Sequence, residues 1–354
     1  MNSQILLNNP QHTFVIAEAG SNWKSGTYKQ DLERAKALIR IASSAGADAI
    51  KFQTYRPETV YAVNAGKSTY LTNFGINESI NKIFKKFSMP YKMIPILGKY
   101  CIEKKIHFMS TPFSVKDAKE IDPYVQIHKV ASYEINHIRL LEFLAKTRKP
   151  ILISTGGSTY REIDYAIKNF KKNKSGPLAI LQCTAKYPAP IESMNISVIP
   201  KFKKRYKIPV GLSDHSTDPL IAPILAVGMG ATIIEKHFTL NKKFEGPDHF
   251  FALNPKQLKK MIKVIRMTEA AKGSGKKEIL SCEVELRNFA SRSIQATKNI
   301  SRGEILREGK NFDVLRPGSQ NRGAEPKFLF KLEGKKAKRE INIGDGISLN
   351  DVSY

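Results

Sequence analysis

The chain has 354 residues, 41% hydrophobic and 25% charged, which excludes a disordered or fibrous protein and leaves room for one large folded domain plus a smaller one. Its formal net charge of +26 raises two readings: a nucleic-acid binder, or a solvated lysine-rich surface with a local excess around an anionic substrate. Runs such as "KKNK" and "KFKKRYK" fall where helix ends or loops are expected and lack stacking aromatics in an RNP-like pattern, which favours the second.

The opening "MNSQILLNNP" carries no basic segment leading into an apolar run, and the most apolar stretch, "PLIAPILAVGMGATII", is too short and too broken by Pro and Gly for a bilayer span. A cytoplasmic location is expected. Cys101, Cys183 and Cys282 show neither CxxC spacing nor a disulfide framework, so reduced, structural cysteines are expected.

Along the chain, eight short apolar runs read as strands: residues 13–20, 49–55, 106–113, 126–132, 150–156, 178–184, 209–215 and 232–238. Amphipathic helical patterns lie between them. "DLERAKALIRIASSAG" places Leu32, Ala35, Leu38, Ile39 and Ala42 on one face and ends at Gly46. "YKMIPILGKYCIEKK", "LLEFLAKTRK", "YREIDYAIKNFKK", "PLIAPILAVGMG" and "PKQLKKMIKVIRMTEAAKG" follow the same logic. Eight strand–helix units predict an α/β fold, a (β/α)8 TIM barrel over residues 1–271. A doubly wound sheet is the rival, but no GxGxxG accompanies it. Residues 272–288 read as a polar linker. Residues 289–354 read as a small, mainly β module of short strands broken by Gly and Pro.

Polar residues gather at or near the C-terminal end of each strand, the end at which such barrels carry chemistry. His215 and His237 end strands seven and eight and could share a divalent metal, with Asp214, Glu235 or Glu18 assisting; two satisfied core histidines are the alternative. Lys51 and Lys129 point into the same mouth, where a buried ammonium needs an anion. Hydroxyls at Ser110, Thr111, Ser132, Ser154, Thr155 and Ser213 would complete a phosphate or phosphate-plus-carboxylate site, unless the lysines are spent on Glu18 or Glu134. Either lysine could instead form a Schiff base, as in an aldolase-type lyase. Glu18 and Glu134 are candidate general acids or bases. Gln53, Tyr187 and Asp248 suit sugar hydroxyls.

In order, "AEAGSN", "GADAIKFQT", "STPF", "KVAS", "STGG", "QCTAKYPAP", "GLSDHS", "EKHF" and "GPDH" resemble the sialic acid synthase family, and the C-terminal stretch resembles the antifreeze-like (SAF) domain those proteins carry. The resemblance implies condensation of phosphoenolpyruvate with an N-acetylated amino sugar, such as N-acetylmannosamine or a di-N-acetylated hexose. It implies a divalent cation, Mn2+ or Mg2+, on His215 and His237. Phosphoenolpyruvate would lie on Lys51, Thr111, Lys129, Ser132, Ser154, Tyr187 and Ser213. The sugar would meet Gln53, Glu134, Tyr187, Asp248 and, from the partner chain of a domain-swapped homodimer, Arg316. The chain departs from the family pattern at Trp23, where a rim histidine is usual, at Tyr133 and at Ala185. "GPDH" leans toward the neuraminic and legionaminic branches, the sequence around Tyr133 toward the pseudaminic branch.

Overall fold

The computed structural model describes Leu7, Asn9 and residues 11–72 and 77–353, so most of the opening "MNSQILLNNP" lies outside the described residues. The chain divides into two compact units, Met1–Gly273 and Ser274–Tyr354.

The first unit holds eight strands: β1 (Phe14–Gly20), β2 (Ala49–Thr54), β3 (His107–Pro112), β4 (His128–Val130), β5 (Ile151–Ser154), β6 (Leu178–Cys183), β7 (Val210–Asp214) and β8 (Ile233–His237). They form one sheet in the order β3-β2-β1-β8-β7-β6-β5-β4, with parallel ladders throughout. Its two end strands, β3 and β4, lie beside one another, which makes the sheet barrel-like. This is the expected TIM-type architecture.

Both faces of every strand are buried, so the sequence of each strand is a nearly continuous apolar run. The pairing register sorts the two faces. Phe14, Ile16, Ala49, Met109, Ile127, Leu152, Ala179, Leu181 and Ile233 share one apolar cluster inside the barrel. The intervening residues, such as Val15, Ile50, Ile153, Ile180 and Leu212, pack outward against the helices. Two residues further along the inward rows, the side chains become polar: Glu18 after Ile16, Lys51 after Ala49, Thr111 after Met109, Lys129 after Ile127, Ser154 after Leu152 and Glu235 after Ile233.

The helices are set by their caps. Thr27 and Gln30 form a capping box on Tyr28–Ala45, Thr159 and Glu162 on Tyr160–Lys172, and Asn254 and Gln257 on Pro255–Lys272. Several helices were not expected, among them Ile80–Phe87 and the two that follow. Val115–Ile121 is capped by Ser114, and Val198–Tyr206 takes in most of "KFKKRYK", whose lysines line its solvent side while Ile199 and Phe202 are buried. Among the described residues, no helix is long and apolar enough to cross a membrane.

The second unit carries two small antiparallel ladders, β9 (Ser293–Ala296) with β10 (Phe312–Leu315) and β11 (Lys336–Ala337) with β12 (Val352–Ser353). Its own core includes Ile294, Ile300, Leu306, Phe312, Leu332, Ile341, Ile347 and Val352. The stretch read as a linker holds a 3-10 turn at Ser281–Glu283 and the start of a helix, Val284–Ala290.

Candidate active site

Two glycines shape the mouth of the barrel. Gly211 sits where β7 and β8 approach so closely that a Cβ would lie 2.3 Å from the Ile233 carbonyl oxygen. Gly20 ends β1 at a φ of +50°, and a Cβ there would lie 2.7 Å from Asp248 Oδ2. Asp248, reaching in from the loop after β8, accepts hydrogen bonds from the Ser21 amide at 3.0 Å and the Ser21 hydroxyl at 2.7 Å. Asn22 Nδ2 donates to the Phe238 carbonyl at 2.9 Å and ties the same loop to the end of β8.

The polar layer is one connected cluster. Lys51 Nζ lies 2.7 Å from Glu18 Oε2 and 3.7 Å from Glu235 Oε1, and it donates to Thr111 Oγ1 at 2.8 Å. Gln53 Nε2 donates to Glu18 Oε1 at 3.2 Å, and Ser213 Oγ to Glu235 Oε1 at 3.1 Å. Across the barrel, Lys129 Nζ donates to Ser154 Oγ at 2.6 Å and to its neighbour's carbonyl, Val130 O, at 3.0 Å. Both acceptors are neutral. Among the described residues no carboxylate comes within ion-pairing distance of Lys129, although the side chain is buried. Ser132 Oγ accepts from the Gly156 amide at 3.0 Å.

These environments separate the carboxyls. Burial pushes Glu18 up to about 7 in spite of Lys51, and burial likewise pushes Glu134 up to about 7 against the pull of Lys129. Burial would raise Glu235 too, but Lys129, Lys51 and the two histidines carry it down to about 2. Burial disfavours the Lys51 ammonium, yet Glu18 and Glu235 outweigh it and hold its pKa above the ordinary value. Lys129 lacks such a pairing, and burial lowers it. Near neutrality the layer therefore holds one firmly ionised carboxylate, two protonatable ones and the Lys51 ammonium, with Lys129 the more weakly held proton.

His215 and His237 lie side by side, ring centroids 5.6 Å apart. His215 Nδ1 is 2.8 Å from the Thr184 carbonyl, which makes it the donor, and Nε2 lies 3.9 Å from Cys183 Sγ. His237 Nδ1 is buried without a hydrogen-bond partner, and burial and its neighbours His215 and Lys51 hold its pKa well below the ordinary value. Tyr187 stacks on His215 at 4.0 Å and, with Phe251 at 5.0 Å from His237, walls the pair. Burial disfavours the His215 imidazolium, yet Cys183 and the Thr184 carbonyl outweigh it and hold its pKa above the ordinary value, so a divalent ion on this pair, with metal–nitrogen bonds of about 2.1 Å, would displace the His215 proton. No group of three or more His, Cys, Asp or Glu side chains converges as a metal cage among the described residues, so an ion here would keep positions open for water and substrate.

The structure brings together Glu18, Lys51, Gln53, Thr111, Lys129, Ser154, Ser213, His215, His237, Tyr187 and Asp248. Glu134 lies in the turn Ser132–Glu134 after β4, with Oε2 buried and unpartnered. Arg316 is exposed just after β10 in the second unit. Three expectations are corrected. Asp214 does not assist the histidines: it alternates with Ser213, faces outward and binds Lys236. Trp23 is no rim aromatic but is buried in the layer between strands and helices. Lys51 does pair with Glu18, while Lys129 does not. Sequence reading also passed over Cys183, whose Sγ lies 3.8 Å from His215 Nδ1, and gave Glu235 too small a part; its spacing of two from His237 is the signal that places it inward.

An eight-stranded parallel barrel followed by a small, mainly β unit defines the class of two-domain barrel proteins to which the chain's relatives belong. The chain belongs to the NeuB family, matched over residues 38–277, and carries a SAF domain over residues 291–353. It is 39% identical to the spore coat polysaccharide biosynthesis protein SpsE of Bacillus subtilis, over 96% of this chain and 93% of that one. It is 36% identical to the pseudaminic acid synthase of Campylobacter jejuni, over 97% and 98%. The crystal structure of a Leptospira borgpetersenii N-acetylneuraminic acid synthetase in complex with citrate aligns with a TM-score of 0.68 at 34% identity, over 79% of this chain and 92% of that one.

Proposed function

We propose that the chain is a nonulosonic (sialic) acid synthase that joins phosphoenolpyruvate to the aldehyde of an N-acetylated amino sugar and releases phosphate. The observation that carries this reading is Lys129, a buried ammonium with only neutral hydrogen-bond acceptors, opposite Lys51. A buried charge of this kind is stable when an anionic ligand completes it, and phosphoenolpyruvate brings about three negative charges. Relatives named as synthases of pseudaminic and N,N'-diacetyllegionaminic acid support the reaction class.

Lys51, Lys129, Thr111, Ser132, Ser154 and Ser213 hold the phosphate and carboxylate, with Tyr187 alongside. Gln53, Glu134, Tyr187 and Asp248 orient the sugar. His215 and His237 would hold the divalent ion, Mn2+ or Mg2+, which when bound supplies Lewis-acid polarisation of the aldehyde oxygen. As C3 of phosphoenolpyruvate attacks the aldehyde carbon, that oxygen becomes a hydroxyl and needs a proton, which Glu134 can hold near neutrality. Water then adds at C2 and gives one proton to Glu18; on collapse to the C2 ketone the remaining hydroxyl proton goes to the phosphate, which leaves with its bridging oxygen.

The active unit is proposed to be a homodimer, with Arg316 of each chain reaching the sugar site of the other. Exposed Leu280, Leu286 and Phe289 support contact with a second copy. Arg316→Ala is expected to raise the KM for the sugar more than that for phosphoenolpyruvate.

Phosphate release from phosphoenolpyruvate, assayed against N-acetylmannosamine and di-N-acetylated hexoses with and without EDTA, tests the proposal. Release that requires both a sugar and a metal is expected; none with any sugar would overturn it. A Schiff-base lyase is the second reading, favoured by the lowered pKa of Lys129. Borohydride trapping of a pyruvate adduct on that lysine would select it.

A further inference from the structure

We propose that Lys236 and Asp214, on the outer face of the barrel, are positioning residues that set the two imidazoles for the metal; this rests on the metal reading above. Each is one residue from a histidine of the pair, and each points away from the site. Both are about 1% exposed. Lys236 Nζ lies 2.6 Å from Asp214 Oδ2 and donates to Ser216 O at 2.6 Å, Ser216 Oγ at 3.1 Å and Asp218 O at 3.0 Å. Asp214 Oδ1 accepts the Ser216 amide at 2.7 Å. A single ammonium on β8 thus fastens the whole turn that carries His215.

The other side of that turn is fastened as well. The His215 carbonyl accepts the Ala189 amide at 3.0 Å, and its Nδ1 donates to Thr184, both on the loop after β6. His215 is therefore held from β6 through its own atoms and from β8 through Lys236, while His237 follows Lys236 directly. A buried ion pair contributes little net stability compared with an apolar pair of the same volume. What Lys236 supplies that an apolar side chain could not is four directional contacts that fix one loop relative to one strand.

The test is the double variant Lys236→Met with Asp214→Asn, which keeps volume and the Ser216 turn but removes both charges. Mn2+ binding is followed by electron paramagnetic resonance, and amide exchange is followed over residues 215–218. The wild type is expected to bind one Mn2+ and His237→Ala none. The double variant is expected to melt close to the wild type, to bind Mn2+ roughly 10- to 100-fold more weakly, and to exchange faster at 215–218 with β1 and β2 unchanged. Should it fail to fold, Ser216→Ala is expected to move both readouts in the same direction by a smaller factor. A folded variant with unchanged affinity and exchange overturns the proposal. If the wild type itself binds no divalent ion, the metal reading fails, and the exchange measurement alone decides whether Lys236 fastens the turn.

Discussion

The two halves of the barrel interior are built on the same strands and differ in one register step. The lower half, with Ile16, Ala49, Met109, Ile127, Leu152 and Ile233, is apolar throughout. Two residues further, the same rows carry Glu18, Lys51, Thr111, Lys129, Ser154 and Glu235. The lower half secures the fold by excluding water. The upper half puts ionisable groups where water is scarce, accepts their desolvation cost, and in return grips charge. Breaking the lower half should therefore cost stability alone, and breaking the upper half should cost binding and turnover as well.

The largest effect is expected from His237→Ala: kcat lower by roughly 10³-fold, equivalent to several kcal/mol, with a melting temperature near wild type. Unchanged turnover in Mn2+-replete buffer would remove the histidines from the chemistry. Lys51→Met should strand Glu18 and Glu235 together, destabilise the fold by about 3–5 kcal/mol and weaken phosphoenolpyruvate binding; denaturant melts and calorimetry read the two losses. Leu152→Ala sharpens the contrast: about 2–5 kcal/mol of stability lost, with both KM values unchanged below the melting range.

Glu134 gives the pH dependence. Its folded carboxyl titrates near 7 in place of 4.5, so the folded state keeps a proton that the unfolded chain has lost. Stability is then fully present below about pH 4.5 and falls as pH rises toward 7, by about 3 kcal/mol. Glu134→Gln should remove its share of that slope and leave the share due to Glu18, raising the melting temperature at pH 8 and leaving it unchanged at pH 4, while turnover drops. The smallest effect is expected from Gly20→Ala, where a strained left-handed residue costs about 1–2 kcal/mol and Asp248 is displaced. The sugar KM should rise and that for phosphoenolpyruvate should not.

The eight strands were legible because each is an apolar run between cappable helices. The strand faces were not. In "IIEKH" every residue is buried, so the spacing of two groups Glu235 with His237 but does not say which parity faces inward; the ladder with β7 settles it. The same parity misled the reading of Asp214. The helix Val198–Tyr206 was hidden by its lysines and Pro200, and Trp23 passed for a rim residue because burial on the strand–helix layer leaves no local mark. The gathering of Lys51, Lys129, His215 and His237 was legible through their common place at strand ends. That Lys129 has no carboxylate within ion-pairing distance was not, since it depends on how the carboxylates are shared across the barrel.

Calorimetric titration of phosphoenolpyruvate into the wild type and Lys129→Met is the most direct test of that unshared ammonium. Affinity lower by roughly 10²-fold or more, in a variant that still folds, is the expected result. A folded Lys129→Met protein that binds phosphoenolpyruvate as tightly as the wild type would contradict it.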